Sequence, residues 1–317
     1  MRVEGQARIP TGGARIAVVA IAGPTASGKT ELGIDLAGRI GAEIVNADSQ
    51  QVYRTLDVGT AKPTASQRAA IRHHLLDVVD PGEGMDAARW VALADEAIAD
   101  IHARGRVPLV VGGTGLYVRA LLHGVAPTPG RDPRLRASLE EEARRHGRAA
   151  IHRRLREVDP EAAARIGPND LLRVVRALEI ASGGRTQSEI FAAHRFADRR
   201  YRALLLALDP PRAALHARIE ARVPSLVDGL LAETRALLGR AGGAPPRRLP
   251  IGYAEAALVL AGALPREEAE RRVAVAHRRY ARRQVVWLRR EPEVEWLRPP
   301  VDAAALAARV RAWLRAT

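Results

Sequence analysis

The chain has 317 residues, 47% of them hydrophobic, which is enough to bury the core of one large or two modest domains. It contains no cysteine, which excludes disulfides and Cys-ligated zinc and suits the cytoplasm, where we expect the protein. No apolar run reaches about eighteen residues, so no membrane span is expected. Polar residues 1–14 are typical of a flexible extension and lack the apolar region of a signal peptide.

The net charge of +14 is unevenly distributed. Residues 1–128 carry 13 Lys and Arg against 13 Asp and Glu, whereas residues 129–200 carry 16 against 11 and residues 240–290 carry 12 against 4. A general bias toward Arg would not leave the first segment neutral. The two basic segments therefore predict a partner with a phosphate backbone.

The first motif is a P-loop, G-x-x-x-x-G-K-T, between the apolar strand 16–22 and a helical pattern that starts at Glu31. Its backbone N–H groups and the helix N-terminus favour an anion. Lys29 supplies an ammonium group and Thr30 a hydroxyl that can bind Mg²⁺. A chance match on a surface turn is the alternative. The predicted diphosphate-binding residues are Gly23, Pro24, Thr25, Ala26, Ser27, Gly28, Lys29 and Thr30.

Further candidates follow two later strands. Asp48 comes after the short strand 42–46 and either binds a ligand at the sheet edge or caps a helix. A third strand is predicted over residues 73–80, and Lys62 is a weaker candidate as the second of only two lysines. Helix 86–104 and strand 107–111 precede a glycine-rich turn, in which we expect Gly112, Gly113 and Gly115 to leave room for a ligand beside Thr114.

The rest of the chain is mostly helical. Residues 129–200 are predicted to form a helical insertion, with helices over 132–146, 149–158 and 170–182, before strand 202–208 returns to the sheet. Helical stretches follow over 215–222 and 224–238, and the i,i+4 spacing of Arg218 and Arg222 places both on one face. After a Pro/Gly linker, 239–250, residues 276–290 form a basic helix in which Tyr280 and Trp287 alternate with arginines, a composition that suits RNA.

Four stretches together resemble the tRNA dimethylallyltransferases, also called tRNA isopentenyltransferases. They are residues 23–30, residues 48–53 with 57–63, residues 112–117, and Ile-Gly-Tyr at 251–253 with Arg-Arg-Tyr-Ala-Arg-Arg-Gln at 278–284. The resemblance implies an α/β fold: a P-loop NTPase-like parallel sheet flanked by helices, with basic C-terminal helices. Residues 15–128 and 201–317 would form this catalytic core, and residues 129–200 the inserted helical domain that contacts tRNA.

The resemblance also implies the reaction: transfer of a dimethylallyl group from dimethylallyl diphosphate to N6 of adenosine 37 in the tRNA anticodon stem-loop. Asp48 would be the general base, with Lys29, Thr30, Thr114, Arg222 and Mg²⁺ assisting, in an enzyme expected to be a monomer. The chain departs from the family pattern at Gln50, Ala254 and His277. The residues implied to contact RNA are Asp48, Ser49, Gln50, Gln51, Thr114, Arg136, Leu172, Arg173, Val174, Val175, Arg176, Gly252, Tyr253, His277, Arg278, Arg279, Tyr280, Arg282, Arg283 and Gln284.

Three other functions remain open from the sequence. A P-loop small-molecule kinase would bind ATP with the same loop, but it has no use for the basic segment 240–290. An isopentenyltransferase that acts on free adenine nucleotides would share the chemistry without needing the insertion. An RNA-binding module without catalytic activity would not require Asp48 and Thr114 beside a P-loop.

Overall fold

A computed structural model describes residues 15–240 and 249–316. Within these ranges the chain forms one six-stranded sheet, with every neighbouring pair parallel, in the order β3-β2-β4-β1-β5-β6. The α/β fold with a parallel sheet is therefore confirmed. The strands are β1 Ala17–Ala22, β2 Ala42–Asn46, β3 His73–His74, β4 Val107–Gly112, β5 Arg202–Leu208 and β6 Val294–Leu297.

Helices connect and cover these strands. Several begin at a polar side chain that caps the first turn, as Asp86 does for α3 and Asp302 for α13. The helices are α1 Lys29–Ile40, α2 Ala65–Ala70, α3 Ala87–Ala103, α4 Gly115–His123, α5 Pro133–His146, α6 Arg148–Val158, α7 Pro160–Arg165, α8 Leu171–Ala181, α9 Gln187–His194, α10 Arg212–Arg240, α11 Tyr253–Leu260, α12 Arg266–Leu288 and α13 Ala303–Arg315. None of these described helices is long and apolar enough to cross a membrane.

Two apolar clusters stabilise the part of the chain that contains the sheet. One covers a face of the sheet and joins β1 and β5 to α1 and α13, with Val19, Leu206, Leu36 and Val310 fully buried. The other lies among α10, α11 and α12 and is centred on Tyr253, whose side chain is fully buried. Burial on both faces explains why β1, β4 and β5 are continuous apolar runs, as in other parallel sheets.

Residues 123–199 form a second compact unit, which is entirely helical. Its core joins α5, α6, α7 and α8 through Leu139, Ile151, Leu155, Val174 and Leu178. The sequence predicts that this insertion begins at residue 129, which lies inside the structural unit, and ends at residue 200, which lies just beyond it. Helices α7 and α9 were not predicted, because each is shorter than the stretch over which helical periodicity becomes visible.

The structure corrects three predicted elements. The strand expected over 73–80 pairs with β2 only at His73 and His74, because Leu75 and Asp77 adopt left-handed φ angles of 63° and 57° that carry the chain away from the sheet. The two predicted helical stretches 215–222 and 224–238 form the single helix α10, with Pro224 inside it.

Strand β6 and helix α13 were not predicted from the sequence. The predicted extension 1–14 and most of the linker, residues 241–248, lie outside the described residues.

Candidate active site

The predicted site residues after β1, β2 and β4 converge because the strands are parallel and adjacent. The P-loop follows β1, Asp48 follows β2, and Thr114 follows β4, so all three lie at the carboxyl edge of the sheet. Ligands of open α/β sheets bind at this edge. The amide of Thr114 donates to the carbonyl of Ala47 over 3.0 Å, which connects the second and third of these segments directly.

The P-loop has the conformation expected of an anion-binding turn. Gly28 is left-handed, with φ 89°, and lies at the N-cap of α1, where its side-chain-free backbone permits the turn. Lys29 is buried and its Nζ donates to the carbonyl of Pro24 over 3.3 Å. Burial lowers the pKa of Lys29, while the charge of Asp48 opposes the shift. A bound anion would favour the charged ammonium, so these groups fit a phosphate ligand.

Asp48 and Thr114 follow the neighbouring strands β2 and β4. Oδ1 of Asp48 accepts a hydrogen bond from the amide of Gln50 over 2.9 Å, and Oγ1 of Thr114 accepts from the amide of Ser49 over 2.8 Å. Asp48, Lys29 and Thr30 line the same small cleft. A carboxylate, an ammonium and a hydroxyl therefore share one small space beside the P-loop.

Helix α10 adds two arginines to the P-loop, as their i,i+4 spacing predicts. Nη2 of Arg222 donates to Oγ1 of Thr25 over 3.0 Å, and Nη1 of Arg218 lies 3.4 Å from the carbonyl oxygen of Ser27. Arg222 is partly buried, and this burial lowers its pKa. A partly buried guanidinium next to an anion-binding turn is suited to contact a phosphate directly.

One face of α12 completes the site with His277, Tyr280 and Gln284. Nε2 of Gln284 donates to the carbonyl of Gly113 over 2.9 Å, and its Oε1 accepts from the amide of Thr25 over 2.8 Å. The hydroxyl of Tyr280 interacts with Thr114 and Ser49. A second small cavity is lined by Thr25, Asp48, Gln50, Gly59, Thr60, Ala61, Arg222, Ile251, His277 and Tyr280.

Protein atoms occupy the space beside the glycines of the turn 112–115, where the sequence analysis expected room for a ligand. A Cβ on Gly112 would overlap the backbone of Ala47, and one on Gly113 would overlap the side-chain amide of Gln284. A Cβ on Gly115 would overlap the indole ring of Trp287. The three glycines therefore admit neighbouring protein atoms, chiefly from α12, because the turn is the surface on which that helix packs.

Several residues predicted to contact RNA are buried, and the structure does not support contacts from their side chains. Val174 and Val175 are each 1% exposed, because they lie on the apolar face of α8 that forms the core of the helical unit. Tyr253 is fully buried and its hydroxyl donates to Oε2 of Glu233 over 2.6 Å. Gln284 is also buried, since it bridges two loops of the site.

The remaining predicted RNA contacts divide into exposed and paired side chains. In the helical unit, Leu172 and Arg173 are exposed, whereas Arg136 and Arg176 both donate to the buried carboxylate of Glu179. Arg176 also donates to Thr128 and to the carbonyl of Pro129. In the other unit, Arg279, Arg282 and Arg283 are exposed on α12, and Arg278 pairs with Glu220. Gly252 is a left-handed N-cap of α11, and Gln51 donates to the carbonyl of Ala61.

Sequence reasoning missed Glu233, which anchors the loop beside the site. Its carboxylate accepts hydrogen bonds from the amides of Asp57, Val58 and Gly59 and from the hydroxyl of Tyr253. This loop also contributes Gly59, Thr60 and Ala61 to the second cavity. An acidic residue on a long helix gives no local signal of such a role, because the loop amides that it binds lie more than 170 residues away in the sequence.

The fold and the site define an α/β protein in which a P-loop turn and a carboxylate lie at the carboxyl edge of a parallel sheet. The family model described as IPP transferase matches residues 51–291. The chain belongs to this family.

Relatives and solved structures agree with this assignment. The chain is 71% identical to a tRNA dimethylallyltransferase of Anaeromyxobacter dehalogenans, over 92% of this chain and 98% of the relative, and 52% identical to one of Myxococcus xanthus, over 92% and 96%. The structure of a tRNA isopentenylpyrophosphate transferase from Bacillus halodurans is similar, with 37% sequence identity and a TM-score of 0.66. The match covers 94% of this chain and 95% of that chain. A eukaryotic dimethylallyltransferase acting on tRNA is similar with 29% identity, a TM-score of 0.76 and coverage of 94% and 77%.

Proposed function

We propose that the protein transfers a dimethylallyl group from dimethylallyl diphosphate to N6 of adenosine 37 in tRNA and releases diphosphate. The observation that carries the proposal is the position of Asp48, which lines the cleft of Lys29 and Thr30 as well as the cavity of Arg222 and Thr25. A base for the acceptor and an anion site for the donor are therefore adjacent. The names of the relatives support the same reaction.

The P-loop and Arg222 would hold the diphosphate of the donor. As the bond between the dimethylallyl carbon and its oxygen breaks, negative charge increases on the diphosphate. Lys29 is buried and Arg222 is partly buried, so their charges act on the leaving group with less screening by water than at the surface. Because this contact becomes stronger as the charge develops, it stabilises the transition state more than the bound donor.

The same residues fit a magnesium ion held jointly with the diphosphate. The hydroxyl of Thr30 lines the cleft beside the P-loop and is an oxygen ligand of the kind Mg²⁺ prefers. Among the described residues no group of three or more acidic or histidine side chains could hold a metal alone, so the phosphate oxygens would complete the coordination. When bound, Mg²⁺ would neutralise part of the charge of the diphosphate.

Asp48 would act on the acceptor. Its carboxylate takes a proton from the N6 amine while the amine nitrogen forms the new bond to the dimethylallyl carbon. The amide of Gln50 fixes Oδ1 of Asp48, and the hydroxyl of Thr114, held between Ser49 and Tyr280, orients the neighbouring backbone. Since a stacked base cannot enter so small a space, the adenine has to leave the anticodon stack.

The exposed arginines of α12 and the exposed Leu172 and Arg173 of the helical unit are proposed to contact the RNA. Arg279, Arg282 and Arg283 lie on consecutive turns of α12 and can neutralise phosphates. We further propose a cytoplasmic monomer. All the site residues belong to one chain, and the absence of cysteine suits the cytoplasm.

Incubation with dimethylallyl diphosphate labelled in the dimethylallyl group, with either bulk tRNA or AMP as acceptor, tests this function. We expect label in tRNA, and nuclease digestion should place it on one adenosine beside the anticodon. Label in AMP alone would instead identify an enzyme that modifies free nucleotides. ATP hydrolysis with no label in either acceptor would identify a kinase.

A further inference from the structure

His277 is a buried imidazole that lacks a hydrogen-bond partner. Its side chain lies on α12 with 8% relative exposure, and neither ring nitrogen has a partner among the residues that the structure describes. Buried polar side chains in folded proteins nearly always have a partner, because an unsatisfied nitrogen costs free energy. Two unsatisfied nitrogens on one ring therefore indicate a ligand that contacts it.

The ring faces the cavity in which donor and acceptor would meet. The charged and titratable groups lining this cavity are Arg222 from α10, Asp48 from the segment after β2, and Tyr280 from the same helix as His277. The other lining residues do not titrate: Thr25, Gln50, Gly59, Thr60, Ala61 and Ile251. Of all these, Thr25 and Arg222 form the part of the cavity that belongs to the phosphate site.

Burial and the positive charge of Arg222 lower the pKa of His277 to about 4. In the free protein at neutral pH the ring is therefore neutral, with one nitrogen that donates and one that accepts. A polyanion bound beside Arg222 would cancel the charge that opposes protonation. The electrostatic environment of the ring would then change from cationic to anionic.

We propose that His277 contacts the diphosphate of the donor through an N–H group and takes up one proton from solvent when the diphosphate binds. This inference rests on the proposed function, because it assumes that the P-loop binds a diphosphate. The proton adds to the ring nitrogen that is unprotonated in the free protein, and no covalent bond to carbon or phosphorus changes at His277. His277 is thus a binding residue for the leaving group, distinct from the base Asp48.

Calorimetric titration of the full chain with inorganic diphosphate and Mg²⁺, at about pH 6 in two buffers that differ in ionisation enthalpy, measures affinity and proton uptake together. The variants are His277→Ala, His277→Gln and His277→Thr. The last two can donate a hydrogen bond but cannot titrate. His102→Gln is the matched control, because His102 is exposed in the last turn of α3, at the opposite edge of the sheet.

We expect His277→Ala to bind diphosphate about tenfold more weakly, the loss typical of one hydrogen bond to a charged ligand. The Gln and Thr variants should recover part of this affinity but take up fewer protons per diphosphate than the wild type and the control do. This proton difference should disappear by about pH 8, where wild-type His277 also stays neutral. A purely structural role could weaken binding in the variants but would not produce this proton difference.

Two results would overturn the inference. One is equal affinity and equal proton uptake in the wild type and every His277 variant. The other is a selective loss of tRNA affinity with unchanged diphosphate binding, which would assign the ring to the acceptor. Failure of the wild-type protein to bind diphosphate at all is a different result, because it would refute the proposed function itself. Thermal unfolding of each variant verifies that the protein is folded.

Discussion

Gln284 and Thr25 are joined by a hydrogen bond of 2.8 Å between the side-chain oxygen of Gln284 and the amide nitrogen of Thr25, although 259 residues separate them in the sequence. The other end of the same side chain donates to the carbonyl of Gly113. One buried amide on α12 therefore holds the P-loop and the turn after β4 at a fixed separation. This glutamine was predicted to contact RNA, but its side chain is buried and fixes the P-loop relative to the turn after β4.

Gln284→Leu should lower the free energy of unfolding by about 2 kcal/mol, because it leaves a buried N–H and a buried C=O without a partner. Gln284→Glu can still accept from Thr25 but cannot donate to Gly113, and it adds a negative charge near the diphosphate. We expect Gln284→Glu to weaken diphosphate binding more than Gln284→Leu does. Urea denaturation and calorimetry measure the two effects, and equal diphosphate affinities in both variants would contradict this assignment.

Gly115→Ala should destabilise the protein by about 1–3 kcal/mol, because its Cβ would overlap the ring of Trp287 and force α12 away from the turn. The matched control is Gly239→Ala, since Gly239 lies near the end of α10 and a Cβ there meets nothing within 4 Å. Thermal unfolding compares the two. If the explanation is correct, the second substitution Trp287→Leu should restore part of the loss in Gly115→Ala, whereas an additive loss would refute it.

Lys62 should not be replaceable by Arg. Its side chain is 1% exposed, and Nζ donates to the carbonyl of Tyr53 and to the carboxylates of Asp57 and Asp77 over 2.5–2.7 Å. A compact ammonium satisfies these three acceptors, whereas a planar guanidinium is too large for the space. We expect both Lys62→Arg and Lys62→Met to lose about 2–3 kcal/mol of stability.

Amide hydrogen exchange over residues 53–63 tests whether the loss of stability in the Lys62 variants is confined to this loop. Faster exchange confined to the loop would show that Lys62 maintains the wall of the second cavity, which Gly59, Thr60 and Ala61 form. Unchanged exchange in Lys62→Arg would show that a guanidinium fits after all.

Asp48→Asn should reduce transfer by about 10²–10⁴-fold, the usual contribution of a general base, with tRNA affinity within about twofold of wild type. Asn keeps an oxygen that can accept from the amide of Gln50, so the local backbone should persist. Single-turnover assays with labelled dimethylallyl diphosphate measure the rate of transfer. The control is Asp35→Asn, an exposed carboxylate on α1 paired with Arg39. A parallel loss of tRNA binding in Asp48→Asn would argue against a base.

Arg282→Ala with Arg283→Ala should weaken tRNA binding and reduce the slope of log affinity against log salt, because two phosphate contacts are lost. Both side chains are exposed on α12. A control with the same change in net charge is Arg39→Ala with Arg311→Ala, since Arg311 donates to the carbonyl of Arg39 at the end of α1 remote from the P-loop. An identical salt slope in the two double variants would exclude α12 from the RNA interface.

The strands that were predicted correctly are those buried on both faces. Continuous apolar runs are found over residues 17–22, 107–112 and 202–208. Burial on both faces of a parallel sheet favours this pattern, so these strands can be recognised from the local sequence. Strand β6, Val294–Leu297, was missed because an edge strand that is half exposed has no such pattern. Strand β3 is shorter than predicted because the left-handed conformations of Leu75 and Asp77 are set by tertiary contacts.

The P-loop was predictable for a similar reason: its function depends on backbone conformation and on residues that are consecutive in sequence. The roles of Glu233 and Gln284 were not predictable, since each contacts loops more than 170 residues away. The burial of Val174 and Val175 was not anticipated, because a run of residues in a motif was taken as one surface. On a helix, neighbouring positions point in different directions, and here the two valines face the core.

The pairing of β1 with β5 has a consequence for how the protein folds during synthesis. Residues 17–22 pair with residues 202–207, so the centre of the sheet cannot close until more than 180 residues have been added to the growing chain. The P-loop then still lacks Gln284, which is translated almost eighty residues later. Such distant contacts slow folding, and during synthesis they leave the edges of β1 free to pair with a wrong strand. A nascent chain arrested before α12 should therefore bind chaperones and no diphosphate.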